Sequence, residues 1–263
     1  MPLPYKHVLA IGATSGIGWA LATRLIESGI KVTIVGRRQE RLDEFVQTHG
    51  SERAGGVAFD ITNLEDIPDF AGRVMASNPD IDSIFLNAGT QNPYDLADLE
   101  KFNLATFHQE VKLNFTSLVS VTHAFLPFLL KKLDPSSFIF TGTHLAIIPA
   151  ATLPAYSASK AALNAFVLCL REQLRLRSEK VKVIEMSPPV VQTELHDYMG
   201  TQKGRNLGMP VDEFTDKAFE GLLEGKDQIV IGAIGEPGVF NGIVDKRREV
   251  FGGLARVMRG GKD

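Results

Sequence analysis

Short runs rich in β-branched and aromatic residues alternate with longer stretches of helical periodicity through the first two thirds of the chain. This alternation is typical of repeated β-α-β units and predicts a parallel sheet. Strands are predicted at 7–11, 31–35, 57–60, 81–86, 138–141, 181–186 and 228–232. Helices are predicted at about 17–28, 38–49, 64–77, 102–131, 157–178 and 211–224. The expected fold is α/β, a doubly wound and mainly parallel seven-stranded sheet with helices on both faces.

A single domain over residues 1–263 is predicted, because no linker rich in Pro, Gly or Ser divides the chain. The longest interruption of the pattern runs from His196 to Pro210. Loops of this length in compact domains are often lids or binding segments. We therefore expect a substrate loop at about 194–212, with a plain surface connection as the alternative.

Composition changes this picture little. The chain has 44% hydrophobic and 22% charged residues, a formal charge of -3 and a pI near 6.1. An acidic balance without a basic surface argues against nucleic acid as a partner. The segment Met1 to Ala10 lacks the pattern of a signal peptide, and no run of about 18 apolar residues follows it, so we expect a cytoplasmic protein without a membrane anchor.

The cysteine content limits the redox chemistry that the side chains of this chain can perform. Cys169 is the single cysteine, and it cannot form an internal disulfide. In the apolar run 166–170 it is expected to fill core volume rather than to act as a nucleophile. Any redox reaction must therefore use a cofactor, and no metal site is predicted.

A glycine-rich segment directly follows the first predicted strand and opens the first predicted helix. It reads Ile11-Gly12-Ala13-Thr14-Ser15-Gly16-Ile17-Gly18. Glycine permits a sharp turn and lets a phosphate approach the helix N-terminus, whose free N–H groups and dipole favour an anion. We predict a Rossmann-like fold in which a dinucleotide is bound by Gly12, Thr14, Ser15, Gly16, Ile17 and Gly18; a glycine-rich turn without a ligand is the alternative.

Two arginines follow the second strand where an acidic ligand of the adenosine ribose would stand. Arginine can donate a planar fork to the 2′-phosphate of NADP, which a carboxylate would repel. Arg37 is the first choice for this contact, with Arg38 stacking or assisting, although both could be solvated charges at the start of a helix. The predicted cofactor is therefore NADP(H).

The ends of the third and fourth strands complete the predicted cofactor site. Asp60, in Phe59-Asp60-Ile61, can accept a hydrogen bond from the adenine amino group, and Ile61 adjoins it. The sequence Asn87-Ala88-Gly89 brings small residues to the carboxyl edge of the sheet, where open α/β folds bind ligands. Each segment also has an ordinary interpretation as a turn.

Tyr156 and Lys160 are four residues apart at the start of a predicted helix, so their side chains share one face. An isolated tyrosine has a pKa near 10, too high for efficient proton transfer at neutral pH. A neighbouring ammonium and an oxidised nicotinamide both favour the phenolate, and we expect them to lower this pKa. Tyr156 is therefore the predicted acid/base and Lys160 the group that tunes it.

Together these motifs resemble those of the short-chain dehydrogenase/reductase family in its short form, over nearly the whole chain. The family's glycines match Gly12, Gly16 and Gly18, with Ile11 in place of a Thr, and Asn-Ala-Gly and Tyr-x3-Lys match without change. The resemblance implies that Asn114 holds a water linking the lysine to solvent. It further implies that Thr143, in place of the family's Ser, hydrogen-bonds the substrate oxygen.

After the sixth strand the chain departs from the family pattern, because Pro189 stands in place of a Gly. Proline lacks an N–H and fixes φ, so we expect a stiffer or displaced loop. Val191 and Thr193 still match the family's positions for the carboxamide and the phosphate.

The resemblance places a mainly apolar substrate pocket beside Tyr156. Its predicted walls are His144, Leu145, Ile148, Leu153, Gln91, Tyr94 and the 196–210 loop with His196, Tyr198 and Met199. A hydrophobic or aromatic carbonyl or alcohol is expected, with His144 available for a polar substituent.

The expected function is that of an NADP(H)-dependent oxidoreductase interconverting a carbonyl and an alcohol. An imine or C=C reductase using the same site and a redox sensor without turnover remain open. A homodimer or homotetramer is expected because Phe107, Leu118, Phe125, Phe166 and Leu170 extend the apolar surface of two helices beyond one face; burial within one subunit is the alternative.

Overall fold

The computed structural model describes residues 3–260, so the first two and last three residues of the predicted domain lie outside the described residues. Seven strands form one sheet: β1 His7–Ile11, β2 Lys31–Gly36, β3 Ala54–Ala58, β4 Ser83–Leu86, β5 Ser136–Thr141, β6 Val181–Ser187 and β7 Gln228–Val230. Their order is β3-β2-β1-β4-β5-β6-β7, and each neighbouring pair is parallel. The predicted α/β fold class is confirmed.

Nine α-helices accompany the sheet within residues 3–260. They are α1 Gly16–Glu27, α2 Gln39–His49, α3 Ile67–Ser77, α4 Leu104–Val111, α5 Ser117–Leu130, α6 Pro154–Arg175, α7 Thr201–Arg205, α8 Val211–Leu223 and α9 Pro237–Met258. Successive β1 residues alternate between two apolar cores, with Val8 and Ala10 in one and Leu9 and Ile11 in the other. Both faces of the sheet are therefore buried, which explains why its strands are apolar runs rather than alternating patterns.

The third strand begins and ends earlier than the predicted 57–60. Gly55 and Gly56 pair with Thr33 and Ile34 of β2. A Cβ on Gly55 would lie 2.7 Å from the Thr33 Oγ1 atom, so glycine allows the close approach of the two strands. Glycines weaken the sequence signal of a strand, and this explains the displaced prediction.

The predicted helix 102–131 is three segments. A π-helical turn over 112–116 joins α4 to α5, and Pro127 lies inside α5. The whole span Leu104–Leu130 is long and apolar enough to cross a membrane by length and composition alone. Core helices meet the same test, and Leu118, Val121, Phe125 and Leu129 of this span are fully buried in the protein.

The sequence pattern missed α9, a helix of 22 residues at the C-terminal end. Its glycines and its charged residues obscure the helical period, which only Phe240 and Val244 mark on the buried side. The predicted loop 196–210 is also more ordered than expected, because it contains most of a 3-10 segment at 194–199 and all of α7. Helix α6 begins at Pro154, three residues before the prediction, since proline suits the first turn of a helix.

Cys169 does not fill core volume as predicted. It lies on α6 with its side chain exposed. The neighbours Leu168 and Leu170 are buried instead, so the apolar run turns its cysteine outward.

Candidate active site

A cavity of about 840 Å³ lies at the carboxyl ends of the strands, where the strand order reverses between β1 and β4. Ligands of open α/β sheets bind in this crevice. The cavity is lined by most of the predicted site residues, namely Gly12, Thr14, Ser15, Gly16, Ile17, Arg37, Arg38, Asp60, Ile61, Asn87, Ala88, Gly89, Thr143, His144, Leu145, Leu153, Tyr156, Lys160, Val191, Thr193 and Tyr198. Gly18, Asn114 and Tyr94 are not among its lining residues.

The glycine turn is packed so tightly that side chains would not fit. Gly12 has φ +78, and a Cβ there would lie 2.4 Å from the Cα of Ala88. A Cβ on Gly18 would lie 2.6 Å from both the Gly12 carbonyl oxygen and the Asn87 amide nitrogen. Gly18 therefore serves the packing of α1 against β1 and does not face the cavity.

The N-terminus of α1 opens toward the cavity. Gly16 has φ +54, and the N-cap Ser15 makes no capping hydrogen bond with its side chain. The first N–H groups of the helix are thus available to an anion. Thr193 packs closely against Gly16, because a Cβ on Gly16 would lie 3.2 Å from the Thr193 Cβ atom. This cradle fits the pyrophosphate of a dinucleotide.

Arg37 and Arg38 have different surroundings at the cavity rim. The Arg37 side chain is 71% exposed, and its Nη1 atom lies 3.7 Å from the Asp60 Oδ2 atom. Arg38 is held more firmly, because its Nε and Nη2 atoms donate to the Thr14 hydroxyl and its Nη1 atom donates to the Glu194 Oε2 atom at 2.9 Å. The Arg37 guanidinium is therefore the freer of the two donors.

Asp60 lies just beyond β3 and fixes its own turn. Its Oδ1 atom accepts hydrogen bonds from the Thr62 N–H at 2.9 Å and from the Thr62 hydroxyl at 2.8 Å. The other oxygen faces Arg37. The Asn87 amide similarly donates to the Gly12 carbonyl at 2.9 Å, so the ends of β1 and β4 are tied together.

Tyr156 and Lys160 lie on one face of α6, and both are buried in the protein at the cavity wall. The Lys160 Nζ atom donates to the Thr141 carbonyl at 2.8 Å and lies 5.8 Å from the centre of the Tyr156 ring. Burial lowers the pKa of Lys160 to about 8. The lysine is thus anchored at the end of β5.

The expectation of a lowered tyrosine pKa is not met in the protein alone. Burial raises the pKa of Tyr156, and the hydrogen bond with the Thr143 side chain opposes this shift only in part. Desolvation of the phenolate therefore exceeds the stabilisation that the surrounding side chains provide. In this state Tyr156 is a phenol at neutral pH.

Thr143 and Asn114 flank this pair in different ways. Thr143 is buried at the end of β5, beside the Tyr156 hydroxyl, and its own hydroxyl accepts from the Leu145 N–H at 3.2 Å. Asn114 lies in the π-helical turn and is fully buried, where it accepts from the Thr90 N–H at 2.8 Å and donates to the Thr90 carbonyl at 2.9 Å. Asn114 thus fixes the segment after Gly89 rather than lining the cavity.

The remaining walls are largely apolar. The His144 ring packs against Phe240 of α9 with ring centres 4.6 Å apart, and the Tyr198 hydroxyl accepts from the Gln91 amide at 2.9 Å. The apolar residues of this part of the lining are Leu153, Val190, Leu195, Met199, Leu207 and Ile234.

Tyr94, predicted as a substrate residue, does not line the cavity in this structure. Its hydroxyl donates to the buried Glu110 carboxylate at 3.1 Å, and its ring packs against Phe102 and Phe107. The carboxylate and the aromatic cluster draw the side chain away from the cavity. Ile148, another predicted wall, is also absent from the lining.

Glu194 is a cavity residue that the sequence prediction did not name individually. Its carboxylate pairs with Arg38, and the hydrogen bonds from Arg38 and Ser15 lower its pKa although burial opposes them. It directly follows Thr193, but no sequence pattern indicates that it faces an arginine 156 positions earlier. Within residues 3–260, no group of three or more His, Cys, Asp or Glu side chains could hold a metal ion.

Comparisons with known proteins identify the family of this chain. The short chain dehydrogenase family model matches residues 6–204. The uncharacterised oxidoreductase DltE of Bacillus subtilis strain 168 is 34% identical over 232 residues, which cover 87% of this chain and 89% of that protein. Serine 3-dehydrogenase of Rhizobium radiobacter is 34% identical over 187 residues, covering 71% and 72% of the two chains.

Solved structures show the same fold. A Burkholderia phymatum short chain dehydrogenase/reductase in complex with NAD has a TM-score of 0.81 at 17% identity and covers 95% of both chains. The closed form of a serine dehydrogenase complexed with NADP+ has a TM-score of 0.75 at 25% identity, covering 86% of this chain and 94% of that one. The chain belongs to the short-chain dehydrogenase/reductase family of oxidoreductases.

Proposed function

We propose that this oxidoreductase uses NADP(H) to interconvert a ketone or aldehyde and an alcohol, with Tyr156 as the acid/base. The observation that carries the proposal is the burial of Tyr156, Lys160 and Thr143 together at one wall of the cavity. The similarity to a serine dehydrogenase complexed with NADP+ supports it.

The cofactor would lie along the carboxyl edge of the sheet. Gly16 and the N-terminus of α1 would hold the pyrophosphate, and Arg37 would donate to the 2′-phosphate. Val191 and Thr193 would border the nicotinamide half, as the resemblance to the family implies. When bound, the nicotinamide supplies or accepts a hydride.

Proton transfer follows from the state of Tyr156. Since burial keeps the phenol protonated, its hydroxyl can donate to a substrate oxygen that gains negative charge during reduction. Thr143 supplies a second donor beside Tyr156. Its hydroxyl oxygen accepts from the Leu145 N–H, and its O–H can rotate to donate to the same substrate oxygen. In alcohol oxidation the same groups act in reverse.

Lys160 stabilises Tyr156 while the tyrosine is a phenolate. An ammonium at this distance stabilises the phenolate left after proton donation. Its pKa of about 8 means that the ammonium form is present below that pH and is lost as the pH rises through 8. We therefore expect turnover by this route to decline above about pH 8.

The apolar part of the cavity lining favours a hydrophobic or aromatic substrate. Leu153 is a buried part of this lining, while Val190 and Leu207 are its exposed part. The same lining carries polar side chains that could orient a substrate, namely Gln91, Asn92, Thr143, His144, His196 and Tyr198.

The protein is further proposed to act in the cytoplasm as a homodimer or homotetramer, by its resemblance to the family.

The proposal is tested with a panel of aldehydes, ketones, cyclic imines and alcohols, followed by the absorbance of the cofactor. Turnover of a carbonyl or an alcohol is expected, whereas turnover of imines alone or binding of cofactor without any turnover would overturn the proposal. With an active substrate, Tyr156→Phe should reduce kcat by about 10² or more while cofactor affinity changes little. Tyr94→Phe removes a hydroxyl outside the cavity and is the matched control, expected to keep kcat close to that of the original protein.

A further inference from the structure

A buried acid lies behind the catalytic wall and takes no part in the chemistry described above. Glu185 of β6 is 2% exposed. A Cβ added to Gly142 would lie 2.5 Å from the Glu185 Oε1 atom, so the carboxylate packs directly against the backbone at this residue. Gly142 stands between Thr141, whose carbonyl accepts from Lys160, and Thr143, which adjoins Tyr156. The acid therefore touches the backbone that carries both contacts.

Asn164 holds this carboxylate from helix α6. Its amide nitrogen donates to both Glu185 oxygens, at 2.9 Å and 2.8 Å. Residues 156, 160 and 164 are successive positions four apart on one helix, so Asn164 continues the face that carries Tyr156 and Lys160. Two hydrogen bonds to the two oxygens favour the charged form of the carboxyl group.

Helix α9 reaches the same cluster. The Arg247 guanidinium donates to the Asn164 side-chain oxygen, so the amide of Asn164 bridges an arginine and a carboxylate. The chain of contacts therefore runs from α9 through α6 to β6, and it ends against the segment 141–143.

Burial and the neighbouring charged groups shift the pKa of Glu185 in opposite directions. Burial raises its pKa, while Asn164 and the cations Arg171, Arg247 and Lys160 oppose that shift. Arg171 is in turn paired with Asp227 at 3.4 Å. Burial lowers the pKa of Lys160, and the Glu185 carboxylate opposes this shift in part.

We propose that Glu185, held by Asn164 and by Arg247 of the C-terminal helix, is a positioning residue that supports the 141–143 backbone and with it the Thr141 carbonyl that anchors Lys160. Its carboxylate is also the opposite charge that favours the ammonium form of Lys160. This inference rests on the proposed role of Lys160. It adds that helix α9, which lies outside the region 6–204 matched by the family model, influences the protonation of Lys160 through Arg247, Asn164 and Glu185.

The first test titrates Lys160 directly, without cofactor or substrate. Protein labelled with [ε-13C]lysine is followed by NMR against pH, and the Lys160 signal is assigned by its loss in Lys160→Met. In Glu185→Gln the midpoint of Lys160 should fall by about one pH unit, the size expected for loss of a close opposite charge. An unchanged midpoint in a folded variant would overturn the inference.

Arg247→Met provides a second variant that keeps the buried acid. It should shift the Lys160 midpoint in the same direction by a smaller amount, since Arg247 acts on Glu185 and through Asn164. Arg247→Lys should restore part of the shift. Arg259→Met is the matched control, because it removes an arginine that joins α9 to Glu172 at the far end of α6, and it should leave the midpoint unchanged. Equal shifts in both Met variants would show a general effect of loosening α9 and would overturn the inference.

The second test measures kcat/KM against pH with the fastest substrate of the panel. The decline of activity at alkaline pH should begin about one pH unit lower in Glu185→Gln, because the ammonium is lost earlier. If Tyr156→Phe loses turnover but the alkaline decline of kcat/KM in Glu185→Gln begins at the original pH, the positioning role is rejected and the proposed function stands. Full turnover in Tyr156→Phe would instead reject the proposed function, while the NMR midpoints would still judge the inference.

Discussion

Arg37 and Arg38 are adjacent in the sequence, but only Arg37 extends a largely free guanidinium over the cofactor cavity. We expect NADPH to be preferred to NADH, and Arg37→Asp to reduce that preference by roughly 10- to 100-fold, as expected for one lost charge-assisted hydrogen bond. The measurement is kcat/KM with each cofactor. Arg41→Asp, which changes charge beside the cavity at a residue paired with Glu44, should keep the preference. Equal efficiencies in the original protein would contradict the prediction.

Thr143 is the departure from the family pattern that lies closest to the proposed reaction. Thr143→Ser should stay within about tenfold of the original kcat, because the hydroxyl donor is retained. Thr143→Val keeps the shape without the donor and should lose about 10² to 10³ in kcat. Comparing the two separates hydrogen bonding from packing. If both turned over equally well, Thr143 would be a pocket wall and His144 the next candidate to orient the substrate oxygen.

The sequence identified most residues of the cavity because their spacing follows strand ends. Gly12, Asn87 and Tyr156 each stand just after a strand or at the start of a helix, positions that the hydrophobic pattern locates well. Tyr94 and Cys169 were misplaced because the direction of a side chain depends on packing that hydrophobic spacing does not describe. Glu185 went unnoticed for the same reason: in sequence it is one acid in an apolar strand, and its contact with Asn164, which Arg247 in turn contacts, is known only from packing.

At the scale of single elements, α1 is held to the sheet by a contact that tolerates no side chain. Gly18→Ala would bring a Cβ to 2.6 Å from the Gly12 carbonyl oxygen, so we expect a loss of about 1–3 kcal/mol in the free energy of unfolding. Gly72→Ala in α3 is the control, since its Cβ would meet no atom within 4 Å. It should raise stability by about 0.4–1 kcal/mol. Urea denaturation of both variants checks the difference, and equal changes would contradict this account of α1.

Elements with regular apolar patterns were predicted well, and those shaped by contact or strain were not. Strand β3 was displaced because Gly55 and Gly56 carry no β signal. The π-helical turn that buries Asn114 has no signature in hydrophobic spacing. Helix α9 was missed because its anchors to the body are largely arginines, Arg247, Arg248 and Arg259, rather than an apolar stripe.

At the scale of the whole molecule, the formation of a dimer or tetramer remains a prediction, but the argument for it has changed. Leu118 and Phe125 are fully buried and Leu170 is nearly so within one chain, so these side chains no longer argue for a subunit interface. The expectation of a dimer or tetramer now rests on the resemblance to the family. Light scattering at micromolar concentration should give a mass of two or four chains, and a monomeric mass would contradict it.

The strand order also governs when each part of the protein can form during synthesis. Strand β1 lies between β2 and β4 in the sheet, so the half of the sheet that carries the glycine turn is complete in sequence by Leu86. Tyr156 and Lys160 follow much later in the sequence, and Arg247 later still. A chain leaving the ribosome therefore contains the glycine turn well before Thr193, which packs against it, and before the proposed acid/base pair, and a product cut short before α9 would lack the Arg247 contact with Asn164.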